Sequence, residues 1–557
     1  MTRNKHLLLW TSLGSIALLG AAITDEHFRQ EWRRMQLDYR QQLPEESAVQ
    51  FPIQLRQIVV PPLQATDRCV TCHLGMIAGG EEIVGDPVFG AHPDVVHDPA
   101  EYGCTVCHGG QGRATRKADA HGRVPHWPEP MLLPEMSYAG CGACHTHLTV
   151  PNLSQLNRGQ ALFERYDCLR CHSLEGRGAT LRPGQEEGVD APDLSRAGIR
   201  GFEPAWYEGH LEQHRNAVTG PWKTSFGEIP AAERTAIEVF LSSRVGAPGL
   251  VESKSLFHSL GCRGCHLVGG VGGDDGPDLT QAGHKDPGQL NFSHVPGERS
   301  VPNWYAEHFR APGKLVPGSQ MPALELSDSE IALLNFYLLS LRRAPVPQAF
   351  WPRDRVRAEH LGEREFSRDG ETLFTTFCSA CHGDQGQGRR YAGMEPFPAI
   401  ANPDFLTLAS DEFLTETVRR GRPGRRMPAW GEKDGGLRPD EIDEVVKYLR
   451  GLSGVAPPAP EEESRWAAGN ATLGGRLYAS ACASCHGEDG RGQEGPALNN
   501  PVFLEIATDR YLVETVRKGR SGTTMPAFGS PALTHRMLSQ EEIEAIVTYI
   551  RNWETQP

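Results

Sequence analysis

The sequence predicts a mainly α chain: an N-terminal membrane helix, a compact region with little regular structure, and four small helical domains in tandem. Three observations predict it. One apolar run lies near the N-terminus, seven C-x-x-C-H motifs recur along the chain with the first three crowded together, and one pattern of aromatic residues returns around the last four.

Arg3 and Lys5 precede an apolar run from Leu7 to Ile23, at the short end for a membrane span. The charged segment beyond it carries Phe28, Trp32, Met35 and Tyr39 at helical spacing, which continues one helix out of the bilayer and offers no small-residue cleavage site. We therefore expect an uncleaved anchor over 1–24, with its positive end in the cytoplasm, and an extramembrane helix and linker over 25–60. The aromatic stripe either packs on the protein's own next domain or forms a seam for a membrane partner.

All 14 cysteines belong to the motifs: Cys69 and Cys72, Cys104 and Cys107, Cys141 and Cys144, Cys168 and Cys171, Cys262 and Cys265, Cys378 and Cys381, Cys482 and Cys485. Each pair is followed at once by a histidine, giving His73, His108, His145, His172, His266, His382 and His486. With 22 histidines in 557 residues, that is no coincidence. Zinc ribbons need no adjacent histidine, a thioredoxin-like motif needs one C-x-x-C, and a disulfide framework has no reason to repeat one spacing. Two thiols three positions apart do suit the two vinyl groups of one porphyrin, with the next residue's imidazole on the iron from the same side. The motifs thus predict seven covalently bound haem c groups with those histidines as proximal ligands. Haem c is attached outside the cytoplasm in bacteria, so the expected location is the inner membrane, single-pass, with periplasmic haem domains.

Composition agrees. The 61 glycines and 42 prolines, without long periodic runs, argue against one large core, and seven macrocycles would supply apolar interior to small modules. The net charge of −14 argues against nucleic acid and suits a basic redox protein, such as a soluble cytochrome c, as a partner. Pro/Gly-rich breaks at Val59–Leu63, Gly246–Gly249, Ala344–Pro352 and Ala456–Glu463 divide the chain into 61–150 with three motifs, then 151–247, 248–344, 345–456 and 457–557 with one each.

In each of the last four, a short helix carries an aromatic ahead of the motif (Phe163, Phe257, Phe374, Tyr478). A closing helix carries another (Phe240, Tyr337, Tyr448, Tyr549). Gly159, Gly370 and Gly474 stand four residues before their aromatics, where two crossing helices would need a missing side chain. "PAWYEGHL" answers "PNWYAEHF", and "FLTETVRRGRPGRRMPAWG" answers "YLVETVRKGRSGTTMPAFG", which points to two duplications. These segments, from Asn157 to Trp553, resemble class I cytochrome c domains. The resemblance implies a helical wrap around one haem and a methionine in an M-P loop as distal ligand. Met321, Met427 and Met525 stand at that position for the fifth, sixth and seventh haems.

The fourth module has no methionine between His172 and Leu250, and Ser225 aligns with Met321. His210 has a counterpart in His308, whose module already has Met321, so His210 reads as structural. His214 has no such counterpart and is the expected ligand, with Lys223, a histidine from elsewhere or an open site as alternatives. The first three motifs lie too close together for class I domains and resemble haem-dense multihaem cytochromes, where bis-histidine ligation is usual. The local candidates are His92, His97, His121 and His126, with His147 also in reach and Met76, Met131 and Met136 less suited. The basic run "VRRGRPGRRMP" around Met427 reads as charge compensation of haem propionates, or as a docking edge for an acidic partner.

"GCTVCHGGQGRAT" followed by "AHG" is similar to cytochrome c subunits of bacterial bc-type quinol:cytochrome c oxidoreductases and of alternative complex III. That resemblance implies an electron-transfer subunit, taking electrons from a membrane-embedded quinol-oxidising partner and passing them to a soluble acceptor such as cytochrome c, with no catalytic residue of its own. Two other readings stand beside it. One is a multihaem reductase or peroxidase built on an open fourth haem, with Glu208, Glu212 and Lys223 available for proton transfer. The other is a conduit to a terminal oxidase, a nitric oxide reductase or an extracellular acceptor. Val268–Gly276, although glycine-rich, has the wrong spacing for a dinucleotide loop.

Overall fold

The computed structural model describes residues 2–555 other than 77–79, 94, 126, 180–190, 201, 217–227, 343–345 and 462. The described chain is mainly helical, and its strands form two short antiparallel pairs, Ile58–Val60 with Ala65–Asp67 and Ser173–Leu174 with Arg177–Gly178. It divides into two compact units. The first joins residues 1–146 with 281–305 and 339–356, and the second comprises 147–280, 306–338 and 357–557.

The first unit begins with the helix Thr2–Phe28, whose apolar side chains are exposed throughout. At 1.5 Å per residue its 27 residues span roughly 40 Å, enough to cross the apolar layer of a bilayer. The expected single helix is broken. Gln30 is extended (ψ 132°) and a second helix runs Glu31–Gln42. The break turns Trp32, Gln36 and Tyr39 onto the unit's own interior while Phe28 stays exposed, so the stripe packs at home. Gln36 is fully buried because its amide donates to the carbonyls of Gln54 and Thr71, each at 2.8 Å. Tyr39 sits 5.2 Å from both Phe51 and Phe89 and donates its hydroxyl to the Glu81 carbonyl.

Around the first three motifs regular structure is short, as expected, and close backbone approach replaces it. Asp67 is fully buried. Its carboxylate accepts from the Thr105 amide (3.0 Å) and hydroxyl (2.7 Å) and so ties the first motif to the second. Gly140 lies against the carbonyl of Cys107, where a Cβ would collide, and this brings the third motif onto the second.

The second unit repeats one arrangement. Opening helices Leu153–Arg165, Leu250–Ser259, Gly370–Phe377 and Ala471–Ala481 cross closing helices Ala231–Ser242, Asp328–Ser340, Pro439–Ser453 and Gln540–Arg551. The aromatic pairs meet at each crossing with nearly the same geometry: Phe163–Phe240 (5.4 Å, 48°), Phe257–Tyr337 (4.6 Å, 45°), Phe374–Tyr448 (5.4 Å, 47°) and Tyr478–Tyr549 (5.5 Å, 45°). A Cβ on Gly159, Gly370 or Gly474 would strike the carbonyl oxygen of Ala236, Glu444 or Ala545. In the fifth module the small, fully buried Ser253 takes that place. The sixth and seventh modules share one hydrophobic core.

Candidate haem-binding sites

Each C-x-x-C-H motif folds as a single turn. In all seven the histidine N–H donates to the first cysteine's carbonyl at 2.9–3.0 Å, and that i to i+4 closure puts both thiols and the imidazole on one side of the turn. Burial pushes the Cys107, Cys168, Cys262 and Cys378 thiols up to about 12. Such groups stay protonated and serve neither as thiolate nucleophiles nor as thiolate metal ligands. Among the described residues no group of three or more His, Cys, Asp or Glu could hold a bare metal ion. The motifs are also drawn together in pairs: the Cys69 side chain lies beside that of Cys104, and the Cys265 side chain beside that of Cys381.

The imidazoles are oriented through Nδ1. In the second unit every motif histidine directs Nδ1 at a proline carbonyl: His172 at Pro192 (3.0 Å), His266 at Pro277 (2.9 Å), His382 at Pro398 (3.0 Å) and His486 at Pro496 (2.8 Å). His73 does the same with Val88 (3.3 Å), and Nδ1 of His145 faces the Asp354 carboxylate at 3.9 Å. A carbonyl only accepts, so Nδ1 carries the proton and Nε2 is left with its lone pair, the form an iron requires. Burial lowers the pKa of His73, His108, His266, His382 and His486, which keeps those rings neutral. Gly276 and Gly495 face the rings of His266 and His486 so closely that a Cβ would meet them.

Four motif histidines face a second histidine. The ring centres are 6.5 Å apart for His73 and His121, 6.1 Å for His108 and His92, 6.3 Å for His145 and His97, and 6.2 Å for His172 and His210. An imidazole nitrogen binds a metal at about 2 Å, so two rings on opposite sides of one ion have centres roughly 6 Å apart. The four spacings therefore fit one haem iron between each pair.

His126 lies outside the described residues, as do Lys223 and Ser225. His147 bonds Glu359 (3.1 Å) and does not take part. In the fourth module the structure brings His210 to His172, where sequence reasoning set it aside. His214 follows one turn later on the helix Pro204–Asn216, and its side chain lies outside the described residues.

Met321, Met427 and Met525 sit in loops of one design. The Arg422 N–H donates to the Met427 carbonyl (2.9 Å) and the Arg520 N–H to that of Met525 (3.0 Å). The amides of Met321 and Met525 each donate to a hydroxyl two residues back, Ser319 or Thr523, at 3.2 Å. The basic run around Met427 is spent inside the chain: Arg419 pairs with Glu416, Arg420 with Glu505, Arg425 with Glu395 and Arg426 with Asp275.

Sequence reasoning missed one buried charge cluster. Arg263, inside the fifth motif, is fully buried and donates to Glu365 (2.9 Å), which also pairs with Lys254 (3.1 Å). Burial opposes ionisation of Glu365, but Lys254, Arg263 and His258 outweigh it and hold the carboxyl well below its usual range. It also missed Asn402 and Asn500, though the repeated N-P-x-F-L around them was a legible signal.

Known proteins match the chain from residue 250 onward. A family described as cytochrome c oxidase, cbb3-type, subunit III matches residues 366–449 and 469–550, and one described as cytochrome c matches 250–342. The chain is 33% identical over 193 residues to the cbb3-type cytochrome c oxidase subunit FixP of Bradyrhizobium sp. (strain ORS 278), covering 33% of this chain and 59% of that protein. It is 31% identical over 196 residues to the cbb3-type subunit CcoP of Rhodobacter capsulatus, covering 33% and 61%. The chain thus spans about 60% of the length of these relatives. Among solved structures, the reducing HAO-like protein complex of Kuenenia stuttgartiensis superposes with a TM-score of 0.24 at 20% identity, over 34% of this chain and 96% of that one. That likeness does not extend to the chain as a whole. With cytochrome c domains matched at three of its motif turns, the chain is a multihaem c-type cytochrome that binds haem c covalently.

Proposed function

We propose that this chain is a membrane-anchored, periplasmic seven-haem electron-transfer subunit that takes electrons from a membrane-embedded partner and passes them to a soluble acceptor such as cytochrome c. A trihaem domain over 61–150 is followed by single-haem domains over 151–247, 248–344, 345–456 and 457–557. Each haem, when bound, supplies one iron centre that gains or loses a single electron.

The observation that carries this reading is the order of facing side chains along the chain. Four histidine pairs come first (His73 with His121, His108 with His92, His145 with His97, His172 with His210). Three modules with methionine loops, at Met321, Met427 and Met525, follow. Methionine opposite histidine raises the potential relative to two histidines, so the ligand set is graded from the anchored end toward the C-terminus. Two protein ligands on an iron also leave no position for substrate. His210 opposite His172 speaks against an open fourth haem, as does the pairing of Glu208, one of its proposed acid/base groups, with Arg234 (2.9 Å).

The membrane partner is proposed to be a quinol-oxidising complex, because one apolar helix provides no quinone pocket. A second reading, delivery to a terminal oxidase, is favoured by the cbb3-type oxidase subunits among the relatives. Purification in mild detergent with identification of every co-purifying chain separates the two. Recovery with a polytopic quinol-oxidising subunit and quinol:cytochrome c activity supports the first, and recovery with an oxidase core supports the second. A lone chain whose reduced form binds carbon monoxide at the fourth haem would overturn both.

A further inference from the structure

The sixth and seventh modules face each other across a local twofold that their aromatic residues record. Phe405 lies 6.4 Å from Tyr511 and Phe413 lies 6.3 Å from Phe503, both at 83°, while the matched Phe413 and Tyr511 stack at 4.9 Å. "NPDFL" and "NPVFL" open two short helices, Pro403–Leu408 and Pro501–Ile506, capped by Asn402 and Asn500. In each cap Oδ1 accepts from the backbone N–H of Phe405 (3.1 Å) or Phe503 (3.2 Å). That bond fixes the orientation of the amide and leaves Nδ2 as the end that donates.

Both Nδ2 groups cross to the other module. Asn500 donates to the Pro423 carbonyl in the loop of Met427 (2.9 Å), and Asn402 donates to the Ser521 carbonyl in the loop of Met525 (2.8 Å). The arginines at the base of the loops cross as well. Arg422 lies over Phe503 at 5.6 Å and Arg520 over Phe405 at 4.8 Å. Each loop is thus closed by its own backbone and held in place from outside by the opposite module. Aspartate or serine would cap these helices equally well, but a carboxylate has no donor and serine has no second polar atom to reach across, which gives asparagine a purpose at both positions.

We propose that Asn402 and Asn500 are crossed positioning residues: each caps its own helix through Oδ1 and through Nδ2 sets the methionine loop of the other module, so that each of the sixth and seventh haem sites is set from the opposite module. This rests on the reading of Met427 and Met525 as axial ligands.

The test is Asn500→Ser in the full, haem-loaded chain, which keeps the cap and removes only the crossing donor. Free imidazole, titrated as a competitor for the methionine position, should displace Met427 roughly three- to tenfold more readily, as expected for one lost hydrogen bond, and should leave Met525 unaffected. Asn402→Ser should do the converse and more weakly, because that contact is exposed and Asp404 also holds the Ser521 amide (2.6 Å). Met427→His and Met525→His variants, each removing one methionine-bound haem spectrum, assign the two sites. Asn500→Asp also keeps the capping oxygen and lacks the crossing donor, and it gives the same crossed readout should the serine variant fail to fold. An effect of Asn500→Ser on the seventh haem, on both equally or on neither overturns the proposal. Absence of any methionine-bound spectrum from the unaltered protein would instead overturn the ligand reading beneath it.

Discussion

At the scale of single residues, the fourth haem site turns on one helical turn. His210 lies flat on Trp206 (4.9 Å, 9°) and faces His172. His210→Gln should convert the fourth haem from six- to five-coordinate, visible as a high-spin component in the optical or electron paramagnetic resonance spectrum. His214→Gln should leave the spectrum unchanged, and the opposite pattern would return the ligand role to His214. Glu365 offers a stability test. Glu365→Gln leaves Lys254 and Arg263 buried without their carboxylate, a loss of about 3 kcal/mol. The folded pKa of Glu365 is depressed, so its contribution is fully present above the unfolded-chain value of about 4.3. It is lost as pH falls from there through the folded value. The gap in thermal midpoint between variant and unaltered protein should therefore be largest near neutrality and close in acid. The motif residues were legible because covalent attachment fixes their spacing. Their partners were not. The proline carbonyls that orient His172, His266, His382 and His486 come 20, 11, 16 and 10 residues later, a scatter set by loop length. His210 was passed over because its counterpart His308 belongs to a module with a methionine, yet matched positions in duplicated modules need not keep matched roles.

At the scale of elements, the helix crossings are the most sequence-legible part of the molecule. An aromatic and a glycine one turn apart predict where two helices meet, and the meeting itself leaves no room for a methyl group. Gly474→Ala places that methyl against the Ala545 carbonyl and should lower the stability of the seventh module by roughly 3 kcal/mol, read as earlier loss of its methionine-bound spectrum on heating. An equal midpoint would show that the helices slide apart at no cost. The N-terminal helix was legible as apolar and long but not in its break at Gln30. Helical periodicity continues through that point, and only the packing of Gln36 and Tyr39 on residues from Phe51 to Phe89 shows why the second helix must turn.

At the scale of the whole molecule, the proposed grading of ligands makes a potentiometric forecast. In a spectroelectrochemical titration three haems should accept electrons at distinctly higher potential than the other four. Met525→His should move one haem from the upper group to the lower. If the trihaem region instead proves the most oxidising, the direction of electron flow reverses. The first unit was the least legible, because its composition is not contiguous in sequence. It includes residues 281–305 and 339–356, which sequence breaks assign to two later modules. Inside it Gly142 abuts Ser340, the Gly283 amide donates to the Leu341 carbonyl (3.0 Å), and Tyr102 meets Phe350 edge-on at 5.6 Å. This has a consequence for how the protein matures. A chain exported from its N-terminus delivers three motifs early, but the unit that encloses them stays incomplete until residue 356 has followed. By then five of the seven motifs have been delivered, so the unit that holds the first three closes only after two later motifs have emerged.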